Sequence, residues 1–385
     1  MRALHRRAGY VGATLLALPL LLAGCGDDDP KAEPEPSAST GSTPSSPATS
    51  VSASPTESGS TAPAPHPSDS PLVVEPITRL LDWQPLGDSV EDTVTTNGEW
   101  TLEVDRDGKK ASLTGPESAS GWGTTSERVS DAFLDDDWAV VVYQDRQETD
   151  PARAIVTDLA SGDDFTIDGD SDQPTLPGGT WALGGGHLLH ATTGPGGAYC
   201  LASVDLATRA STLGWCADKH HGFNGAHATP YGDAIQTFDD QQPSCRTVAQ
   251  VSGSRTDTGL TPLSPGCHGW DGVVTEGGAV WSVVEKENNV EAAHFFARDG
   301  DSYADLGPGT SGTLTWCHGA AYFVRDPQRD GDPARLMAWD GTDLTIVYES
   351  PAGQAFLTAP RCGGDTIAVT ALAESGDEQV SAALG

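Results

Sequence analysis

The chain has 385 residues, with 55 acidic against 21 basic side chains and a formal net charge of −34. A field of that sign repels phosphate backbones and anionic headgroups, which argues against nucleic acid as a partner and favours a soluble monomer.

The first 24 residues have the order of an export signal. Arg2, Arg6 and Arg7 give a basic start, an apolar run follows from Val11 to Leu22, and small residues close the segment. The run is shorter than the roughly 20 residues a permanent membrane helix needs, so it reads as a cleaved leader. Its end, Leu22-Ala23-Gly24-Cys25, resembles the lipobox of bacterial lipoproteins. That resemblance implies cleavage before Cys25, acylation of its thiol, and retention on the outer face of the cell membrane. Arg6-Arg7 also resembles a twin-arginine signal, although any leader needs positive charge at its start.

Residues 25–72 are almost wholly Ser, Thr, Pro, Ala, Gly and Glu after a short acidic run. Such a composition buries too little apolar surface to offset the entropy of ordering, so it is expected to be a solvated tether. Residues 73–385 carry the apolar runs and form the expected globular domain.

In that domain the runs are short, rich in Val, Ala, Leu, Tyr and Trp, and separated by Gly and Asp, with no helical periodicity. One signature recurs, a Gly or Asp turn followed by a hydrophobic strand, anchored at Gly98, Asp137, Gly186, Gly232, Gly278, Gly319 and Gly364. The anchors lie roughly 40 to 50 residues apart, the period of four-stranded propeller blades. A second turn keeps pace with the first, as in Asp158-Leu159-Ala160-Ser161-Gly162 and Asp205-Leu206-Ala207-Thr208. The expectation is an all-β β-propeller of seven blades, or six if the Gly98 repeat is itself the closing blade. The last repeat stops before its outer strand, so Val73-Val74-Glu75-Pro76-Ile77-Thr78 or a nearby segment is expected to supply it and close the ring.

Six cysteines remain beside Cys25, and an even number in an exported domain suggests three disulfides. Cys200 and Cys216 are centred on Thr208, and Cys245 and Cys267 on Thr256, each inside a turn-like stretch, so each pair would face across a hairpin. Elimination leaves Cys317 with Cys362, both two residues before an anchor glycine in consecutive repeats. No Cys-x-x-Cys spacing supports zinc.

Chemistry is scarce. Nucleophile-elbow, His-Glu-x-x-His and phosphate-loop motifs are all missing from the sequence. Asp168-Gly169-Asp170-Ser171-Asp172 alternates carboxylates but lacks the Gly and Glu that an EF-hand places after them. The repeat also resembles propellers that bind pyrroloquinoline quinone, which carry Asp, then Thr-Gly, then Trp. Asp205-Leu206-Ala207-Thr208-Arg209 has arginine at the glycine position, so no cofactor is expected. Trp100, Trp138 and Trp281 sit on the strand signature as packing residues. His220, His221, His227, His268 and His318 stand near cysteines or repeat junctions; converged on a channel mouth, His221, His268 and His318 would be the binding or acid-base residues. The sequence therefore favours a non-catalytic scaffold binding a protein, small molecule or carbohydrate. An extracytoplasmic hydrolase or lyase, or an accessory subunit of an envelope complex, is the alternative.

Overall fold

The computed structural model describes residues 71–385, except 88, 117, 125, 258–266, 287–288, 290–291 and 352–354. The leader, Cys25 and nearly all of the tether lie outside the described residues.

All seven anchors sit at the turn between the first and second strands of a repeat, and the second strands start at or just after them, from Thr101–Val104 to Thr366–Ala373. The glycine is needed for its backbone at several of these turns: Gly98, Gly186, Gly232, Gly319 and Gly364 all have positive φ. Second strands are buried on both faces, as in Ala139–Tyr143 and in Ala320–Arg325, which explains their continuous apolar runs.

The strands form an all-β propeller in which successive sheets pack face to face. Five sheets stand alone. Three have four antiparallel strands, covering 93–123, 181–216 and 221–257. Two have five, because Leu72–Val73 adds in parallel to Ser302–Gly309, and Ile77–Thr78 adds in parallel to Leu344–Glu349. The hydrophobic core lies between neighbouring sheets. Leu188 and Val204 of one sheet pack with Val140 and Val156 of the preceding one, and further along the chain Phe295 in the strand Ala293–Asp299 stacks on Phe323 in the strand Ala320–Arg325 at 4.1 Å between ring centroids.

The expected seven separate blades are corrected in one respect. The sheet built from 127–167 and the sheet built from 361–383 are joined into a single nine-stranded sheet by a parallel bridge between Gly363 and Leu134. Three first strands crowd together at this point: a Cβ at 363 would stand 2.1 Å from the carbonyl oxygen of Thr96 in the 93–123 sheet, so glycine is needed where the bridge to Leu134 forms. Of the two expected sources of the missing outer strand, 73–78 and a nearby segment, the first pairs elsewhere, with two other sheets, while Gln84–Pro85 lies antiparallel on Glu378–Ala383.

Three disulfides are present: Cys200–Cys216 across a hairpin, Cys245–Cys267, and Cys317–Cys362 between neighbouring sheets with Cα atoms 5.4 Å apart. Trp281 is fully buried, and Trp100 and Trp138 pack against core clusters.

Candidate functional site

The first strands of the repeats surround a channel of about 700 Å³. It is lined from Thr95, from 131–137, from 181–185, from 226–231, from 312–319 and from 359–364, so six of the seven first-strand regions contribute. The wall mixes apolar side chains, including Phe133, Leu134, Leu183, Leu314 and Trp316, with polar and charged ones. Ionisable groups stand among them, a combination found in ligand pockets.

Two of these groups are delivered by β-bulges. In the strand Glu127–Leu134 one extra residue, Ser130, stands between the pairs Val129↔Tyr143 and Asp131↔Val142. In the strand His221–Thr229 the register shifts between Asn224 and His227, around Gly225 at φ +55°. A bulge re-aims the side chain that follows it. Here Asp131 and His227 both reach the channel wall. Burial pushes the Asp131 carboxyl above its ordinary range, opposed by a hydrogen bond from Ser130 and by the charge of Arg128. Burial alone pushes His227 down to about 4, so its imidazole is neutral near pH 7.

Arg361 is the one guanidinium in the lining. Its Nε donates to the carbonyl of Val94 at 3.0 Å and its Nη2 donates to Gln379 Oε1 at 2.7 Å, and burial brings it down to about 10. At the anchor-turn end stand Asp135, Asp136, Asp137 and His318. Burial pushes Asp135 up to about 6, although its Oδ1 accepts from the amides of Asp137 and Trp138. Asp136 is also raised, first by burial and then by the charge of Asp365, with His318 opposing. Tyr231 and Trp316 meet edge to face at 5.6 Å on the same rim.

The three histidines singled out from the sequence do not converge. His221 opens its first strand and His268 precedes the strand Gly269–Val274, whereas His318 lies in the turn after the strand Thr315–Cys317. They therefore stand at opposite ends of the first strands. Only His318 lines the channel, and His268 lines a separate pocket with Arg246 and Trp270. Cysteine adjacency placed them near disulfides and carried no information about the lumen. Asp131 and Arg361 were missed, and His227, although among the junction histidines, was not one of the three singled out. Of these only His227 had a sequence signal, Gly225 inside a strand pattern, which marks a bulge.

Among the described residues no group of three His, Cys, Asp or Glu side chains could hold a metal ion. The 168–172 run serves its own loop: Asp168 Oδ1 accepts from the amide of Asp170 at 2.9 Å, and Ser171 Oγ accepts from the amide of Asp168. No helix among the described residues is long and apolar enough to cross a membrane.

No protein-family model and no curated protein sequence matches the chain. Solved structures similar to it include the β-propeller domain of the Trilobed protease from Pyrococcus furiosus, with TM-score 0.47, 8% identity, and coverage of 76% of this chain and 93% of that one. Prolyl oligopeptidase B from Galerina marginata is similar with TM-score 0.48 and 8% identity over 78% of this chain and 49% of that one. The acylaminoacyl peptidase of Pyrococcus horikoshii is similar with TM-score 0.43 and 9% identity over 67% and 45%. The chain thus spans about half the length of these two peptidases.

Proposed function

We propose that this chain is an extracytoplasmic lipoprotein, anchored through Cys25, whose propeller binds a small ligand in its channel without transforming it. The observation that carries the binding reading is the lining itself: a lumen of about 700 Å³ in which apolar side chains alternate with ionisable groups, two of them, Asp131 and His227, positioned by bulges. The anchor reading is supported by the lipobox-like Leu22-Ala23-Gly24-Cys25 and by three disulfides in the domain that follows. We further infer seven blades, counting the nine-stranded sheet as two, with Gln84–Pro85 as the outer strand that closes the last one.

The test uses Ala359, which is exposed yet lines the channel. Ala359→Trp fills the lumen with little disturbance of the core. A panel of small ligands is screened by thermal shift against the wild type and this variant. Hits that stabilise the wild type and fail to stabilise the variant support channel binding, and hits indifferent to the substitution sink it. For the anchor, Cys25→Ser is expected to abolish incorporation of labelled palmitate and to release the chain from the membrane fraction.

A second reading, a hydrolase or lyase at the mouth, is favoured by one observation: the charges of His318 and Asp365 both act on Asp136. Turnover that is lost in both His318→Ala and Asp136→Asn would establish it over the binding reading.

A further inference from the structure

We propose that the channel takes an organic cation with an apolar body, its charge held by Asp131 and its body lying against the wall beside Trp316. The inference rests on the channel-binding reading and names the ligand class.

Charge is the first argument. Four carboxylates, Asp131, Asp135, Asp136 and Asp137, line the channel against one guanidinium. That guanidinium is committed to the wall, with Nε on Val94 O and Nη2 on Gln379 Oε1 and Thr370 Oγ1. The imidazole of His227 is held neutral by its burial, so it does not repel a cation.

Asp131 is the second. Asp135 is spent on capping its own turn, but Asp131 has no such duty. It forms no ion pair among the described residues, and the nearby Arg128 is engaged with Glu148 at 2.9 Å. A buried carboxylate that a bulge turns into the lumen, with the Ser130 hydroxyl and the already paired Arg128 as its nearby favourable groups, carries a desolvation cost that an entering cation offsets.

The walls are the third. Trp316 and Tyr231 present aromatic surface at the rim, and a cation is drawn to an aromatic face as well as to a carboxylate. Asp136 and Asp137 at the same end add a field that steers cations inward.

The full chain is titrated by calorimetry with (2-phenylethyl)trimethylammonium, 2-phenylethanol and 2-phenylethanesulfonate. The cation is expected to bind about ten-fold or more tighter than the alcohol. Asp131→Asn is expected to bring the two within about three-fold, while Asp131→Glu, which keeps the charge, restores most of the preference. Equal binding of cation and alcohol, a preference undisturbed by Asp131→Asn, tightest binding of the sulfonate through Arg361, or binding of none of the three overturns the proposal. Alcohol binding that Ala359→Trp abolishes, without a preference for the cation, leaves the channel reading standing and removes only this one.

Discussion

Gln379 Oε1 accepts a hydrogen bond from Arg361 Nη2 at 2.7 Å and another from the amide of Val94 at 3.2 Å, so one buried amide group joins the last strands of the chain to the first complete sheet. Thr370 Oγ1 donates to the same oxygen, and Gln379 Nε2 donates to the carbonyls of Ser89 and Asp92. The partners come from three segments, 89–94, Arg361 and Thr370, and one side chain ties them together. Gln379→Ala leaves the amide of Val94 and a guanidinium arm short of an acceptor. It is expected to cost about 2–4 kcal/mol in urea unfolding, well above a typical single substitution. A cost below about 1 kcal/mol would show that the sheets hold together without this clasp.

Close approach of neighbouring first strands gives a sharper steric test. A Cβ on Gly184 would stand 2.2 Å from the carbonyl oxygen of Ala228 in the next sheet, whereas Gly186, at φ +77°, has open space around it. Gly184→Ala must push two sheets apart, with an expected loss of about 2–4 kcal/mol. Gly186→Ala suffers only from its left-handed backbone, an expected loss of about 1 kcal/mol. Thermal or urea denaturation of the two variants side by side decides whether inter-sheet distance or local backbone conformation is the tighter constraint.

The contrast between these glycines also marks what the sequence made legible. Anchor positions such as Gly186 were visible because a turn residue before a Val- or Leu-rich strand is a local pattern. The hairpin disulfide Cys200–Cys216 was visible because its centre falls in a turn. The fusion through Gly363 was not, since nothing local shows that this residue pairs with Leu134. Nor was the course of 72–85, which forms three two-residue strands on three different sheets, too short for any alternation to appear. The site suffered most. A bulge at Ser130 or Gly225 exchanges the faces of every residue after it, so strand periodicity misplaces Asp131 and His227.

Exposure separates the disulfides. Cys200 and Cys317 are fully buried, whereas Cys267 is exposed. Thiol–disulfide exchange requires access of the attacking thiolate, so a mild reductant acting on the native protein is expected to open Cys245–Cys267 first. Alkylation followed by peptide mass analysis should show label at Cys245 and Cys267 before any at the other four. Simultaneous labelling of all six would mean that reduction proceeds through global unfolding.

Acid and base act on the fold in opposite directions through two buried groups. Asp271 accepts from Ser282 Oγ and from the amide of Gly312, and burial pushes its carboxyl from 3.8 up to about 6. Between those values the folded state keeps a proton that the unfolded chain has lost, so stability falls as pH rises through the window, by something on the order of 3 kcal/mol. The His187–Asp233 pair has the same sign. Its hydrogen bond raises the histidine above 6.5, so its stabilisation is present below that value and is lost as pH rises through the higher folded value. His227 opposes both: burial lowers it from 6.5 to about 4, so the unfolded chain takes up a proton that the folded lumen refuses, and stability falls as pH drops through that interval. Asp271→Asn keeps an acceptor for Ser282 and Gly312 while removing the titration. It is expected to match or exceed the wild type at about pH 7 and to flatten the decline between about pH 4 and 6. His227→Gln is expected to gain relative to the wild type below about pH 6. Urea midpoints across this range for the three proteins separate the terms, and an Asp271→Asn profile parallel to the wild type would remove the buried carboxyl as their source.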